Sequence, residues 1–301
     1  MKVFCSSLLL LLISAAALFG QRPAGASVLT LDLSTEQDQF LPNEAMMVTV
    51  RISNSSGRAV PLGAQPDWLK FSVESSDNLV VSRLGEVPVD GTLLLQSSLS
   101  ATRKLNLTPY FDFRRPGHYQ ITATLKLPEM GLTATSKPKS FDVVRGTKLK
   151  ELEFGVPPAP GATNQVPEIR KYLLQQANRK ELQLYVRITD LSEARTFRVF
   201  PISHMTSFSQ PEAQLDRASN LHVLNQDGAR SFNYSVINPD GDLLVRQTYD
   251  YTTTRPRLAP NAEGGVVIVG GERRLARSDL PAVAKNSNGE PTQPDAKDQK
   301  P

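Results

Sequence analysis

The chain has 301 residues, of which 40% are hydrophobic and 21% charged, a composition typical of folded soluble proteins. Its formal net charge is +4, and a single Cys with three His excludes a disulfide framework and a multi-thiolate metal site. The length predicts about two domains, and 22 Pro with 18 Gly favour turn-rich β structure over long helices.

The first 26 residues have the layout of a secretory signal peptide. Lys2 precedes an apolar run over residues 8–19, which is too short for a membrane span of about 20 residues. Ala24 and Ala26 then place small residues where a signal peptidase requires them, directly before Ser27. We therefore expect cleavage between Ala26 and Ser27, and an extracytoplasmic protein that is periplasmic or secreted.

Cleavage at this point changes what the chain can do. It removes Cys5, so the mature chain has neither a cysteine nucleophile nor a disulfide, and its stability must come from buried apolar area. It also removes Lys2 and Arg22, which leaves 32 basic and 30 acidic residues, or a net charge of +2. This balance argues against nucleic acid as a partner. No second apolar run of about 20 residues follows, so we expect no membrane span in the mature chain.

Residues 27–145 have the pattern of a β-sandwich. Apolar and polar residues alternate in several stretches, and a period of two places one face of a strand on a core. The clearest stretches begin near Leu29, Met46, Leu69 and Tyr119. Turn signals separate them, such as NSSG at 54–57 and RPG at 115–117. About seven strands in this length predict two packed antiparallel sheets.

Two segments of this region are similar to one family. Residues 40–44 (FLPNE) resemble the turn that opens the second strand of exported bacterial immunoglobulin-like domains. Residues 116–121 (PGHYQI) resemble the entry to their penultimate strand. The resemblance implies an immunoglobulin-like sandwich over 27–145, with Tyr119 forming a tyrosine corner and without the disulfide of antibody domains. It says nothing about function, because such sandwiches have unrelated roles.

A change of composition follows this unit. Residues 146–167 are rich in Pro and Gly and are expected to form a linker, semi-rigid at 157–160 where the sequence is PPAP. Pro167 then favours the start of one short helix ending at Asn178. The residues that share a face at helical spacing are Ile169, Tyr172 and Leu173.

Residues 168–275 are otherwise expected to form a β-rich module of hairpins. Alternating stretches begin at Leu182, Phe197, Phe232 and Leu243. The sequence NPDG at 238–241 predicts a tight turn between the last two. The tail, residues 276–301, has no large apolar residue after Val283 and is expected to be disordered.

The module contains a partial internal repeat with an offset of 45 residues. The first copy comprises Pro211, Asp216, Ser219, Asn220, Leu221, Val223 and Leu224, and the second comprises Pro256, Asn261, Gly264, Gly265, Val266, Ile268 and Val269. A period near 45 resembles β-propeller blades, although unrelated hairpins also look alike. A closed propeller needs at least four blades, and this module is long enough for about two or three.

The common catalytic motifs are missing from the sequence. It has no Gly-x-Ser-x-Gly, no His-Glu-x-x-His and no phosphate loop. His118, His204 and His222 have spacings that fit no compact metal site. Candidate calcium ligands are present at alternate positions, but Gly241 separates the last two and no bidentate Glu follows, so a plain turn is favoured. These ligands are Asn238, Asp240 and Asp242. We expect no cofactor.

Arg and Tyr cluster near the end of the module, and both residue types are enriched at interfaces. The candidate binding residues are Tyr249, Tyr251, Arg246, Arg255 and Arg257. Tyr249 and Tyr251 share one face of a strand, and the partner would be a protein or an acidic glycan. The alternative interpretation is an ordinary solvated sheet face.

The sequence therefore predicts an exported, non-enzymatic binding or structural protein of the cell envelope or the extracellular space. One alternative is an exported carbohydrate-active hydrolase, because such enzymes need carboxylates alone. Its candidate acids are Asp216, Asp240 and Asp250. Another alternative is an envelope assembly or chaperone-like component that offers a strand edge to its partners.

Overall fold

A computed structural model describes residues 28–76, 81–156 and 168–280, and most of them form strands. The all-β class predicted from the sequence is confirmed, since the helical structure of the described residues is the single 3₁₀ turn Pro128–Met130. The expected signal peptide, with its cleavage between Ala26 and Ser27, lies outside the described residues. Within the described ranges, no helix is long and apolar enough to cross a membrane.

The first ten strands form what we call the N-terminal unit. They are β1 (Leu29–Thr35), β2 (Gln39–Phe40), β3 (Met47–Asn54), β4 (Val60–Leu62), β5 (Leu69–Ser75), β6 (Leu93–Leu95), β7 (Ser100–Asn106), β8 (Gly117–Leu127), β9 (Leu132–Thr135) and β10 (Lys139–Val143). One sheet has the order β1-β3-β7, a second has the order β2-β10-β8-β5 with β9 also paired to β8, and β4 pairs with β6 in a third, two-stranded sheet. β2 and β10 pair in parallel.

The two larger sheets of the N-terminal unit enclose one apolar core. Val50 and Ile52 of β3 are fully buried in the same cluster as Ile121 of β8 in the facing sheet. Trp68 is also buried there, and its indole Nε1 donates to the carbonyl oxygen of Val89 at 3.3 Å. The alternating stretches predicted from the sequence are thereby confirmed as strands β1, β3, β5 and β8.

Eleven further strands follow in the described residues. They are β11 (Thr147–Gly155), β12 (Ile169–Asn178), β13 (Leu182–Asp190), β14 (Thr196–His204), β15 (Glu212–Leu215), β16 (Leu221–Gln226), β17 (Ser231–Ile237), β18 (Leu243–Asp250), β19 (Arg257–Pro260), β20 (Val266–Val269) and β21 (Glu272–Arg274). They pair in the orders β11-β12-β13-β14, β15-β16-β17-β18-β21 and β19-β20.

These sheets stack as three layers: the first layer (β11 to β14), the second layer (β15 to β18 with β21) and the third layer (β19 and β20). Leu184 of the first layer and Leu221 of the second lie in one apolar cluster. Tyr234 of the second layer and Leu258 of the third lie in another. On the opposite face of the first layer, Leu41 of the N-terminal unit packs with residues of β12, β13 and β14.

The short helix predicted up to Asn178 is wrong, because this segment is strand β12. β12 is a central strand of the first layer, and both of its faces are covered. Tyr172 and Leu174 point to the second layer, whereas Ala177 points to the N-terminal unit. A strand that is buried on both faces has apolar residues at consecutive positions, and these imitate a helical spacing.

The structure also changes the boundaries of two predicted segments, the linker and the disordered tail. The segment 146–167, expected as a linker, begins with strand β11, which pairs with β12 along its length; its residues 157–167 lie outside the described ranges. The tail expected to be disordered from residue 276 is ordered up to Leu280, whose backbone N–H and C=O exchange hydrogen bonds with Arg246 at 2.9 and 2.8 Å. The pairing of these segments with neighbouring strands outweighs their local composition.

The 45-residue repeat is present in the strand pairing. Ala213 pairs with Val223 in the hairpin β15–β16, and Leu258 pairs with Ile268 in the hairpin β19–β20, so the same offset relates both members of the pair. Every other pair of the two ladders obeys the same relation. The two hairpins are therefore equivalent in length, register and turn position.

Candidate functional site

The structure divides the five Arg and Tyr residues that the sequence analysis grouped together. Tyr249 faces the third layer, packs edge-on against Tyr234 and donates its hydroxyl hydrogen to Gln247 Oε1 at 3.1 Å. Burial raises the pKa of the Tyr249 hydroxyl. Arg246 lies on the opposite face of β18, because it pairs with Ser235 while Tyr249 pairs with Phe232. These two residues do not form one surface.

Tyr251 remains accessible at the end of β18, where its side chain is 40% exposed. The guanidinium of Arg230 lies 5.7 Å from the centre of its ring. Arg230 Nε donates to the carbonyl oxygen of Tyr251 at 2.8 Å, and Nη2 donates to that of Thr252 at 3.0 Å. These bonds hold the cation beside the aromatic ring.

Arg255 and Arg257 are both exposed, and Pro256 between them is buried, as an extended segment requires. The guanidinium of Arg255 lies 5.1 Å from the centre of the Phe232 ring. Within the described ranges, neither arginine forms an ion pair, so both charges are available to a ligand.

A shallow depression of about 580 Å³ lies at this end of the second layer. It is lined by Arg230, Ser231, Asp250, Tyr251, Thr252 and Thr253. Asp250 is not a free acid there, because its carboxylate accepts a hydrogen bond from Arg274 Nε at 2.8 Å. The depression therefore presents an aromatic face, hydroxyl groups and a fixed cation, a combination that suits a carbohydrate ring or a polar peptide.

Arg230 was missed by the sequence analysis, although a signal for it exists. It directly precedes β17, and Ser231 pairs with Asp250, so the residue opposite Tyr251 is Arg230. The backbone N–H of Tyr251 donates to the Arg230 carbonyl oxygen at 2.7 Å. Extending the predicted hairpin by one more pair would have identified it.

The candidate calcium ligands form a hydrogen-bonded turn. Asn238 Oδ1 accepts the backbone N–H groups of Asp240 and Asp242 at 3.1 and 2.7 Å, and the Asp242 carboxylate pairs with Arg198. Gly241 adopts the positive φ of 86° that closes the turn. Within the described residues, no group of three His, Cys, Asp or Glu residues is placed to hold a metal ion.

The three histidines lie in separate surroundings. His118 Nδ1 is 2.6 Å from Asp142 Oδ1, and His204 Nδ1 is 2.9 Å from Glu181 Oε2. Both of these histidines are about half exposed, at 44% and 57% of their side chains. His222, by contrast, is buried in the second layer.

His222 belongs to a hydrogen-bonded chain that the sequence analysis did not detect. Its Nε2 lies 3.2 Å from Asp216 Oδ2, and its Nδ1 lies 2.7 Å from the Tyr234 hydroxyl oxygen. Burial, together with the nearby Tyr249 and Asp216, raises the pKa of Tyr234 to about 12. The chain thus joins the turn before β16 to the centre of β17, and its buried members have partners, as structural polar groups do.

The candidate acids of a hydrolase are spread over the second layer. Asp216 is bound to His222, and Asp240 is 75% exposed in the turn after β17. Asp250 pairs with Ser231 at the other end of β17 from that turn, a separation of roughly 20 Å at about 3.4 Å per residue. A glycosidase pair needs a separation of about 5–10 Å, so Asp250 does not form such a pair with Asp240.

No protein-family model matches the sequence, and no curated protein matches it. Among solved structures, the chain is similar to the crystal structure of Spo0M, a sporulation control protein from Bacillus subtilis, at 8% sequence identity and a TM-score of 0.30. The similarity covers 58% of this chain and 89% of the Spo0M chain. A similarity this weak supports no statement about function.

Proposed function

We propose that this chain is an exported, non-enzymatic binding protein of the cell envelope or the extracellular space, which binds a protein or glycan at the Tyr251 end of the second layer. The observation that carries the proposal is the exposed Tyr251 ring beside a guanidinium that backbone carbonyls hold in place. An aromatic face with fixed cations beside it is typical of binding surfaces.

The N-terminal unit is proposed to be an immunoglobulin-like domain. Its sheet orders support this, because β1-β3-β7 and β10-β8-β5 correspond to the strands A-B-E and G-F-C of that architecture. The hydroxyl of Tyr119 donates to the carbonyl oxygen of Arg115 at 2.7 Å, which is the bond of a tyrosine corner. In this proposal the N-terminal unit supports the layers, and the partner binds at the layers.

The chemistry of the depression defines the expected partner. Tyr251 offers a face on which a sugar ring or a peptide side chain can stack, and Thr252 and Thr253 offer hydroxyl donors. Arg255, four residues after Tyr251 in the chain, is exposed and forms no ion pair within the described residues. A partner with carboxylates is therefore favoured over a neutral one, because charge-assisted hydrogen bonds to guanidinium are the stronger ones.

The test uses the chain from residue 27 to 301 as bait in the native envelope fraction, followed by a binding titration with the captured partner. Tyr251→Ala and Arg255→Ala should each weaken binding by about 1–4 kcal/mol, the usual cost of truncating a central interface residue. The matched controls are Phe208→Ala and Arg58→Ala, which remove an exposed aromatic and an exposed arginine elsewhere.

Unchanged binding by folded Tyr251→Ala and Arg255→Ala variants would mean that this surface is ordinary solvated sheet. The same preparation tests export, since the N-terminus of protein recovered from the envelope should be Ser27. Recovery of the intact form starting at Met1 from the cytoplasm alone would contradict the proposed location.

A further inference from the structure

The third layer is an incomplete copy of the second. Its hairpin β19–β20 repeats β15–β16 pair for pair at an offset of 45 residues. In the second layer, β16 pairs with β15 along one edge and with β17 along the other. Within the described ranges, β20 has β19 as its single paired strand, so the edge that corresponds to the β16–β17 contact is open.

The hydrogen-bonding groups at this edge can be assigned from the closing pair of the turn. The Asn261 N–H donates to the Gly265 carbonyl oxygen at 3.0 Å. Bonded and non-bonded pairs alternate along an antiparallel ladder, so Val267 and Val269 bond to β19. The N–H and C=O groups of Val266 and Ile268 then point to the open edge. Their equivalents in β16 bond to β17.

The following residues of the chain do not fill this edge. Gly270 and Gly271 both have positive φ angles, of 72° and 65°, and turn the chain away directly after β20. Strand β21 then pairs with β18 in the second layer. Within the described residues, the repeat is broken at this point and the third layer has no equivalent of β17.

The surroundings of the open edge are apolar. Val266 and Ile268 pack inward with Tyr249, which is left half-buried. On the outer face, Val267 and Val269 are 40% and 47% exposed. A strand added beside β20 would cover this apolar surface and would satisfy the open backbone groups.

The positive charge near the open edge of β20 favours an acidic partner over a second copy of the chain. Arg255 and Arg257 are exposed without ion-pair partners in the described ranges. Two copies of the chain joined through β20 would add like charges to one continuous sheet, which opposes self-association. An acidic segment of another protein would instead be attracted by these arginines.

We propose that β20 is a strand-addition site for an extended segment of a different polypeptide, with apolar residues at alternate positions and acidic residues at its ends. The backbone groups of Val266 and Ile268 provide the ladder, Tyr249 and Val267 provide the apolar contacts, and Arg257 attracts the acidic ends. This is the binding mode in which main-chain bonds give affinity and side chains give specificity. It is independent of the Tyr251 depression.

The probe for the test is a fluorescein-labelled synthetic peptide that carries the β17 sequence, residues 231–237, between paired glutamates. This sequence already pairs with the equivalent edge of β16. Saturable binding to the full mature chain is expected by fluorescence anisotropy. A peptide in which proline replaces the residue corresponding to Ser235 cannot continue the ladder and should bind at least tenfold more weakly.

Val266→Pro is the decisive variant of the protein. Val266 is the first residue of β20 and its N–H points to the open edge, so proline removes no internal hydrogen bond and is tolerated there. Peptide binding should fall at least tenfold while thermal stability is retained. Arg257→Ala provides a second variant that leaves the strand intact, and it should weaken binding severalfold and flatten its salt dependence.

Three results would overturn the proposal. The first is equal binding of the glutamate-flanked peptide and its proline analogue. The second is unchanged binding by a folded Val266→Pro variant. The third is a mature chain that dimerises in sedimentation experiments and becomes monomeric with Val266→Pro, because the edge would then belong to a second copy.

Discussion

The carboxylate of Asp216 contacts both the backbone of the turn before β16 and the imidazole of His222. Burial opposes ionisation of its carboxyl, but hydrogen bonds from Asn220 and His222 outweigh this effect and hold its pKa below the ordinary 3.8. Two of the bonds come from the backbone N–H groups of Ala218 and Asn220, at 2.9 and 2.8 Å. One carboxylate therefore both shapes the β15–β16 turn and orients a buried imidazole.

The Asp216→Asn variant should keep the turn but lose the part of the unfolding free energy that depends on ionisation of the Asp216 carboxyl. Asn261 holds the equivalent turn between β19 and β20 with the same two backbone hydrogen bonds, so an amide oxygen can replace the carboxylate as their acceptor. Because the pKa of Asp216 is lowered in the folded state, the wild type should have a higher free energy of unfolding than the variant above pH 3.8. This difference should disappear as the pH falls further. Urea unfolding at several pH values measures it. A difference in unfolding free energy between wild type and variant that stays constant from about pH 6 to pH 3 would contradict a lowered pKa of Asp216.

At the scale of elements, three hairpin turns share one construction. Asp216, Asn238 and Asn261 each accept two backbone N–H groups, from the residues two and four positions later. The fourth residue of each turn has a positive φ, of 62° at Ser219, 86° at Gly241 and 80° at Gly264. Asn, Asp and Gly recur at these positions because short polar side chains bond their own backbone and glycine permits the left-handed conformation.

Asn238→Ala should lower the free energy of unfolding by about 1–3 kcal/mol, because two N–H groups lose their acceptor. The loss should be the same in calcium and in EDTA, since Asn238 acts as a turn residue. Differential scanning calorimetry in both buffers provides the measurement. Asp240→Ala is the matched control, because its side chain is 75% exposed. Stabilisation of the wild type by calcium that disappears in Asn238→Ala would favour the metal interpretation instead.

At the scale of the whole molecule, the N-terminal unit and the first layer are joined by a buried ion pair. Arg179 Nη2 lies 2.6 and 2.8 Å from the two oxygens of Glu44, and the side chains are only 9% and 5% exposed. Arg187 Nη2 also donates to the carbonyl oxygen of Pro42 at 3.0 Å. Leu41 adds an apolar contact, so residues 40–44 connect two parts of the protein in addition to opening a strand.

Arg179→Met should destabilise the full chain by about 3–5 kcal/mol, because it leaves Glu44 as an unpaired buried carboxylate. The double variant Glu44→Gln/Arg179→Met should recover part of this loss, since no buried charge then remains. Chemical denaturation provides the unfolding free energies. The control pair Lys139 and Asp38 is exposed, and its removal should cost about 1 kcal/mol or less. Equal effects of the two pairs would mean that the junction is solvated in solution.

How far the sequence predicts this molecule depends on the range of the interactions involved. Alternation located β3 and β8, and NPDG located the turn at Asn238, because each signal lies within ten residues of chain. The Arg and Tyr group was identified by type, but its division into an exposed Tyr251 and a half-buried Tyr249 was not. That division depends on the third layer, which covers one face of β18.

The sequence alone determined the all-β class, the positions of eight of the 21 strands in the described residues and the 45-residue spacing, because strand and turn propensities are local. The tertiary structure alone decided that β12 is a doubly buried strand, that Glu44 meets Arg179 across 135 residues of chain, and that β20 keeps an open edge. These features depend on which faces meet in the folded state, and no local pattern of side chains records that pairing.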